Sequence, residues 1–248
     1  ATSTVTGLSF NASQYGGYKQ NGSTILYASS TNQSVAVGAS GAASWMNASS
    51  TAWYATAIGL GALGTTPTSG GAQYNTATGY NALAANTSGA LNTANGANAL
   101  YVNTTGSYNT AIGQSALVSN TTGSENTVLG DSSLLFNQTG SSNVAIGANA
   151  GMGGNYSSNT GSTYVGYSAG YSVLSGASYN TLLGYNSGYG ITSGARNTIL
   201  GNSTIAASYN QITTGSNNIA IGNDVAVASA TASNQLVIGN LIYGTTLS

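Results

Sequence analysis

The chain lacks the residues on which most enzyme chemistry depends. Its 248 residues include no histidine, no cysteine and only five formally charged side chains: Lys19, Arg196, Glu125, Asp131 and Asp224. The common zinc sites, thiol nucleophiles and the Ser-His-Asp triad are therefore excluded. Because two basic residues cannot neutralise a phosphate backbone, no nucleic-acid partner is expected. We expect a non-enzymatic protein without a metal or a cofactor.

Charge, proline and long apolar runs are also scarce. Charged residues make up 2% of the chain, where about 25% is usual. No apolar run reaches the ~18 residues of a membrane span, so none is expected. The chain is instead rich in Ser, Thr, Asn and Gly, with 36 glycines and 17 tyrosines. This uncharged composition favours an extracellular location, at a cell surface or on a virion.

A repeat organised around glycine runs through most of the chain. The segment 109–113, Asn-Thr-Ala-Ile-Gly, returns as Asn-Thr-Val-Leu-Gly at 126–130 and as Asn-Val-Ala-Ile-Gly at 143–147. Successive copies are 17 to 21 residues apart, and the glycine recurs at Gly38, Gly59, Gly79, Gly96, Gly113, Gly130, Gly147, Gly166, Gly184, Gly201, Gly222 and Gly239. A nearly constant period of this length indicates a repeat architecture.

Each copy predicts one short strand. A branched residue such as Ile112 precedes the glycine, a Thr such as Thr110 lies two residues earlier, and a small residue separates them. Alternation of this kind is typical of a β-strand with one face inward. We expect the bulky positions to face the core. The small residues are then expected to face outward or toward a neighbouring chain, at Ala36, Ala57, Ala77, Ala94, Ala111, Ala145 and Ala220.

The predicted fold is all-β: a parallel β-solenoid, or β-roll, of about 12 coils with 17–21 residues per coil. Residues 1–33 are expected to form an N-terminal cap or docking segment, 34–239 the solenoid and 240–248 a C-terminal tail. A second apolar position recurs at Leu63, Leu83, Leu100, Leu117 and Leu134. Because Gly151, Gly170 and Gly188 replace it later in the chain, the core must narrow there or another group must approach the backbone.

One asparagine falls at the same place in most coils, just before the strand. Stacked coils would align these amides into a ladder in which each amide bonds to the coils above and below. The predicted ladder comprises Asn75, Asn92, Asn109, Asn126, Asn143, Asn180, Asn197 and Asn218. Such a ladder would help to stabilise a solenoid with a thin apolar core.

The repeat resembles two related groups of fibrous proteins. The Asn-Thr-Ala-Ile-Gly unit is similar to the head repeat of trimeric autotransporter adhesins. The longer phrase at 104–117 and the ending at 234–245 are similar to phage tail-fibre-like proteins, which often carry an endosialidase-type C-terminal chaperone. The resemblance covers about residues 34–245. It implies a left-handed β-roll that trimerises and serves as a fibre or adhesin.

Two sets of surface residues are candidate contact or modification sites. Tyrosines beside the coil corners suit a subunit interface or a glycan contact, because they have an apolar body and a polar tip; they are Tyr74, Tyr80, Tyr108, Tyr167, Tyr179 and Tyr185. Asn-X-Ser/Thr sequons in an evenly spaced row, expected to be exposed, are candidate glycosylation sites; they are Asn86, Asn103, Asn120 and Asn137.

Together these patterns predict a structural or adhesive fibre protein that self-associates into a homotrimer or a filament. One alternative is a glycan-binding fibre tip that uses the tyrosine-rich turns on cell-surface glycans. Another is an ice-binding solenoid, which is disfavoured if the Thr column faces inward. A polysaccharide-cleaving solenoid would need Glu125 and Asp131 to face each other across a substrate, and opposite ends of one strand are poorly placed for that.

Overall fold

The computed structural model describes residues 18–20, 23–29, 33–38, 54–65, 72–154, 157–203 and 212–239. It confirms the all-β solenoid: twelve parallel strands in one sheet form about ten turns, and no described residue is helical. The predicted tail at 240–248 lies outside the described residues. The strands are β1 (Tyr18–Gln20), β2 (Ser23–Ser29), β3 (Ser34–Val37), β4 (Thr56–Ile58), β5 (Thr76–Thr78), β6 (Thr93–Asn95), β7 (Thr110–Ile112), β8 (Thr127–Leu129), β9 (Val144–Ile146), β10 (Thr163–Val165), β11 (Thr181–Leu183), β12 (Thr198–Leu200), β13 (Ile219–Ile221) and β14 (Leu236–Ile238).

The strands follow one another across the sheet in chain order. From β3 onward every neighbouring pair is parallel and in the register that the glycine alignment predicts, so that Ala111 of β7 pairs with Val128 of β8. Strands β1 and β2 are antiparallel and extend the sheet beyond β3. Within the segment 1–33, the structure describes these two strands and Gln33.

Stacking continues around the rest of each coil. In the turns, the Leu100 amide donates to the carbonyl of Ala116 at 3.1 Å, and the Thr104 amide donates to that of Thr121 at 2.9 Å. Backbone bonds therefore join successive coils on more than the strand side. At about 4.8 Å per coil, the parallel stack is a rod roughly 50 Å long.

The repeated glycine is required where the chain leaves the strand. Gly113 has a φ of +136°, and a Cβ placed there would collide with the carbonyl oxygen of Gly130 in the next coil. Only glycine combines this backbone conformation with so close an approach. The period of the sequence is thus set by one steric need that returns in each coil.

The predicted facing of the strands is wrong. The central strand residues point inward and are buried, namely Ala36, Ala57, Ala77, Ala94, Ala111, Ala145 and Ala220. The bulky residues beside the glycine lie outside: Ile58, Ile112, Leu129, Ile146 and Leu183 are 38–47% exposed. The interior of a coil is too narrow for two bulky side chains per strand, because the leucine four residues after the glycine already fills it. Leu83, Leu100 and Leu117 are completely buried there.

Candidate functional site

The outward face of the parallel sheet forms a regular surface along the described coils. It consists of the first and third residues of each strand from β4 to β14, together with Val35 and Val37 of β3, and we call it the strand strip. Its first column is mainly threonine: Val35, Thr56, Thr76, Thr93, Thr110, Thr127, Val144, Thr163, Thr181, Thr198, Ile219 and Leu236. Its second column is mainly aliphatic: Val37, Ile58, Thr78, Asn95, Ile112, Leu129, Ile146, Val165, Leu183, Leu200, Ile221 and Ile238.

The strand strip carries no charge and is substantially open to solvent. Leu236 is 66% exposed, Leu183 is 47% exposed and Leu129 is 46% exposed. At about 50 Å by 10 Å the strip covers roughly 500 Å². The aliphatic column makes up about half of this area, and contiguous exposed apolar surface of a few hundred Å² often marks an interaction site in monomeric proteins.

The candidate tyrosines flank the strand strip on both sides. Tyr74, Tyr108 and Tyr179 lie two residues before their strands, whereas Tyr80, Tyr167 and Tyr185 follow the glycine. All six are about half exposed or more, from 48% to 60%. The structure brings Tyr167 and Tyr185 together, with ring centroids 5.4 Å apart. It stacks Tyr74 on Tyr54 at 4.8 Å, and it places the Arg196 guanidinium 5.7 Å from the ring centre of Tyr179.

These stacks cover one face of each ring in a pair. The interplanar angle is 2° for Tyr54 and Tyr74 and 12° for Tyr167 and Tyr185. Each ring of a stacked pair therefore covers one face of its neighbour along the rod. The rings of Tyr171 and Tyr189 also stack, with their centroids 4.8 Å apart. This pair was not among the candidates from the sequence, although its 18-residue spacing follows the repeat. Sugar rings bind to free aromatic faces, so stacking reduces what these tyrosines offer a glycan.

The asparagines before the strands are buried and linked from coil to coil. The backbone amide and the Nδ2 group of Asn126 both donate to Oδ1 of Asn109, each at 3.0 Å. Oδ1 of Asn126 in turn accepts from the amide and Nδ2 of Asn143. The column comprises Asn75, Asn92, Asn109, Asn126, Asn143, Asn180, Asn197 and Asn218, each with 0% exposure. Ser162 takes the place of an asparagine between Asn143 and Asn180 and receives the Asn180 amide on its hydroxyl.

The sequon asparagines do not form the exposed row expected from the sequence. Asn86, Asn103, Asn120 and Asn137 are all at most 2% exposed. Asn120 Nδ2, the atom that glycosylation would modify, donates to Asn103 Oδ1 and to the Gly123 carbonyl, each at 2.9 Å. These four residues therefore form a second interior ladder and are not surface acceptors. The sequence signal for this ladder was their 17-residue spacing, which equals that of the first ladder.

A buried tyrosine occupies the space that two core glycines leave. Tyr164 of β10 stands where most strands have alanine, and it is completely buried. A Cβ on Gly151 or Gly170 would touch opposite sides of the Tyr164 ring, while Gly188 approaches Leu182 of the next strand. The side chains of Tyr164 and Leu182 therefore approach the backbone at these glycines, which is one of the two outcomes predicted from the sequence. In these coils, a larger residue in the strand is compensated by glycine at the corner, so that the core stays filled.

The Tyr164 hydroxyl is enclosed without a hydrogen-bond partner, and so is Oδ1 of Asn159. Burial raises the pKa of Tyr164 from 10.0 to about 12, and the nearby side chains of Ser162 and Asn159 oppose that rise. Because the charged phenolate would be desolvated, the neutral form is favoured in the folded chain.

The two carboxylates considered for glycan cleavage each contact a serine. Glu125 Oε2 accepts a hydrogen bond from the Ser142 hydroxyl at 3.0 Å, and Asp131 Oδ2 accepts one from Ser132 at 3.2 Å. They lie at opposite ends of β8, on exposed corners. Among the described residues, no three acidic or other metal-binding side chains cluster. In the same part of the chain, no helix has the length and hydropathy needed to cross a bilayer.

Comparison with protein-family models, with curated proteins and with solved structures finds no match to this chain. The strand strip, its tyrosine borders and the interior ladders are therefore the features from which a function can be inferred.

Proposed function

We propose that the chain is a non-enzymatic structural protein of an extracellular fibre, which assembles with copies of itself through the strand strip. The observation that carries the proposal is the outward aliphatic column. Exposure of Ile58, Ile112, Leu129, Ile146 and Leu183 leaves apolar surface in water on five of the twelve coils, and burial against another copy would remove it.

The size and charge of the strip suit a second copy of the same chain. A stable interface buries about 800 Å² on each partner, which the strip approaches when its tyrosine borders are included. Both columns are uncharged, and the formal net charge of the whole chain is −1. Two copies can therefore approach side by side with little repulsion. The resemblance to phage tail-fibre-like proteins and to trimeric adhesin heads supports a trimer as the assembly.

The test is sedimentation of the purified chain and of a variant with Ile112→Lys and Leu129→Lys. We expect the unsubstituted chain to sediment as a trimer or larger assembly at micromolar concentration, and the variant to sediment as a folded monomer. A matched control adds the same two charges off the strip, at the exposed turn residues Thr122→Lys and Thr139→Lys. An unsubstituted chain that stays monomeric, or a control that dissociates equally, would contradict the proposal.

The outward threonine column favours a second candidate function, ice binding. Thr56, Thr76, Thr93, Thr110 and Thr127 occupy five successive coils of the strip. Each presents a methyl group and a hydroxyl that both donates and accepts, at the roughly 4.8 Å spacing of the stack. Ice binding was disfavoured if the Thr column faced inward. The structure places this column on the outward face.

Thermal hysteresis separates the two functions. An ice-binding chain would lower the freezing point of its solution below the melting point, and Thr110→Tyr would reduce the gap. A chain without measurable hysteresis at millimolar concentration is not an ice binder.

A further inference from the structure

The strand strip has a difficulty as an interface, because its repeat is nearly the same in every coil. Thr110 and Ile112 of β7 are followed by Thr127 and Leu129 of β8, which have almost the same shape. Two copies could therefore slip by one coil along the rod and keep nearly all of their apolar contacts. Weakly specified register of this kind favours mixed assemblies.

Two adjacent coils interrupt the aliphatic column. Thr78 of β5 and Asn95 of β6 stand where the other strands carry Val, Ile or Leu. Asn95 is exposed, and within the described residues its side-chain amide makes no hydrogen bond. This separates it from Asn92 and Asn103 of the same coil, which are buried and bonded in the two ladders.

On the basis of the proposed function, we propose that Asn95, with Thr78 beside it, sets the register and direction in which copies of the chain pair. In parallel copies aligned coil for coil, the Asn95 side chains lie at the same height along the rod. Each amide can then donate to and accept from its counterpart. In that one alignment, the donor and acceptor groups of each Asn95 side chain are therefore paired across the interface.

Other alignments leave the amide without a partner. A slip of one coil places Asn95 against Ile112 or Thr78 of the neighbouring copy. An antiparallel pair with full overlap places β6 beside β11, whose outward residues are Thr181 and Leu183. Burying an unpaired amide is unfavourable, and a single asparagine in an apolar seam fixes register in coiled coils by the same means.

Disulfide formation between introduced cysteines can measure the register. The chain has no cysteine of its own that would form competing disulfides. Two proteins are prepared, one with Thr110→Cys and one with Thr127→Cys, mixed, assembled and oxidised. A disulfide requires Cα atoms within about 7 Å. Alignment coil for coil therefore gives bonds between identical positions, whereas a slip of one coil joins position 110 to position 127. Mass spectrometry of the digested products measures the ratio.

With Asn95 present, we expect identical-position disulfides to exceed mixed ones by at least tenfold. In an Asn95→Ile background the two kinds should form in similar amounts, whereas the control Thr93→Ile, on the same face of the same strand, should keep the original ratio. If the Asn95→Ile variant assembles and its ratio of identical-position to mixed disulfides is unchanged, the register role of Asn95 is overturned, while self-association stands. If the unsubstituted chain sediments as a monomer and neither disulfide forms, the proposed self-association fails with it.

Discussion

Asn109 and Asn120 donate hydrogen bonds to one carbonyl oxygen, that of Gly123, each at 2.9 Å. Both side chains are completely buried, and they belong to different ladders. The same convergence occurs one coil later, where Asn126 and Asn137 share the carbonyl of Gly140 at 3.0 Å. A Cβ on Gly123 would collide with Asn120 Oδ1 and the Gly140 carbonyl. The shared carbonyl therefore joins two ladders and explains the glycine of the turn.

The two ladders are expected to contribute unequally to stability. Asn126→Ala removes the acceptor of the buried Asn143 backbone amide. Asn120→Ala removes a side-chain donor to Asn103 Oδ1 but leaves Gly123 and Asn137 with their other partners. Since a buried donor without an acceptor is costly, we expect losses of about 3 and about 2 kcal/mol in the free energy of unfolding. Urea denaturation measures both, with Thr122→Ala of the same turn as a near-neutral control. Equal losses would remove the distinction between the ladders.

The repeated glycine should be intolerant of any side chain, for a reason beyond its φ. Gly113→Ala suffers both positive φ and collision with the Gly130 carbonyl, whereas Gly176, at φ +102°, has open space around its Cβ position. We expect Gly176→Ala to cost about 1–3 kcal/mol of strain, and Gly113→Ala to prevent folding of the coils around it. Circular dichroism and thermal melting compare the two. A Gly113→Ala chain as stable as Gly176→Ala would show that backbone strain alone matters.

Because central strand residues point inward and the flanking residues point outward, substitutions at the two kinds of position should affect stability differently. Ala94 is fully buried between Ala77 and Ala111, so Ala94→Leu should overpack the core and cost about 1–3 kcal/mol. Ile112 is 38% exposed, so Ile112→Ala should cost less than about 1 kcal/mol in a dilute monomer. Thermal unfolding at low protein concentration measures both changes. The reverse order would mean that the strands face the other way.

The buried hydroxyl of Tyr164 should matter mainly at alkaline pH. The unfolded chain loses this proton above pH 10, and the folded chain retains it up to about pH 12. The folded state is therefore unaffected by this group below pH 10 and loses stability as the pH rises from 10 to 12. The loss approaches about 3 kcal/mol, at about 1.4 kcal/mol for each pH unit.

Tyr164→Phe isolates that effect. The variant should equal or exceed the parent chain in stability at pH 7, by up to about 1 kcal/mol, because the hydroxyl lacks a hydrogen-bond partner. It should also show a smaller decline between pH 10 and pH 12 in denaturation experiments. Tyr108→Phe, at an exposed corner of the coil, serves as the control. A large loss at pH 7 would mean that the hydroxyl is hydrogen bonded after all.

The sequence by itself determined the class of fold and the register of its strands. The steric need at Gly113 and its equivalents recurs in every coil, so aligning the glycines also aligns the strands, and Ala111 pairs with Val128 as the alignment predicts. The first asparagine ladder followed from the same periodicity. Each of these depends on a local requirement that returns at a fixed interval, and such a requirement can be recognised without coordinates.

Only the tertiary structure decided which way the strands face and which asparagines are buried. A strand of three residues with apolar groups on both sides fits either orientation, and the choice depends on how much room Leu100 and Leu117 leave inside the coil. The burial of Asn120 depends likewise on the shared Gly123 carbonyl, which lies three residues away on a turn. Volume and shared partners are properties of the closed coil. They turned the residues expected in the core into the exposed strand strip, and the expected glycan acceptors into a second interior ladder.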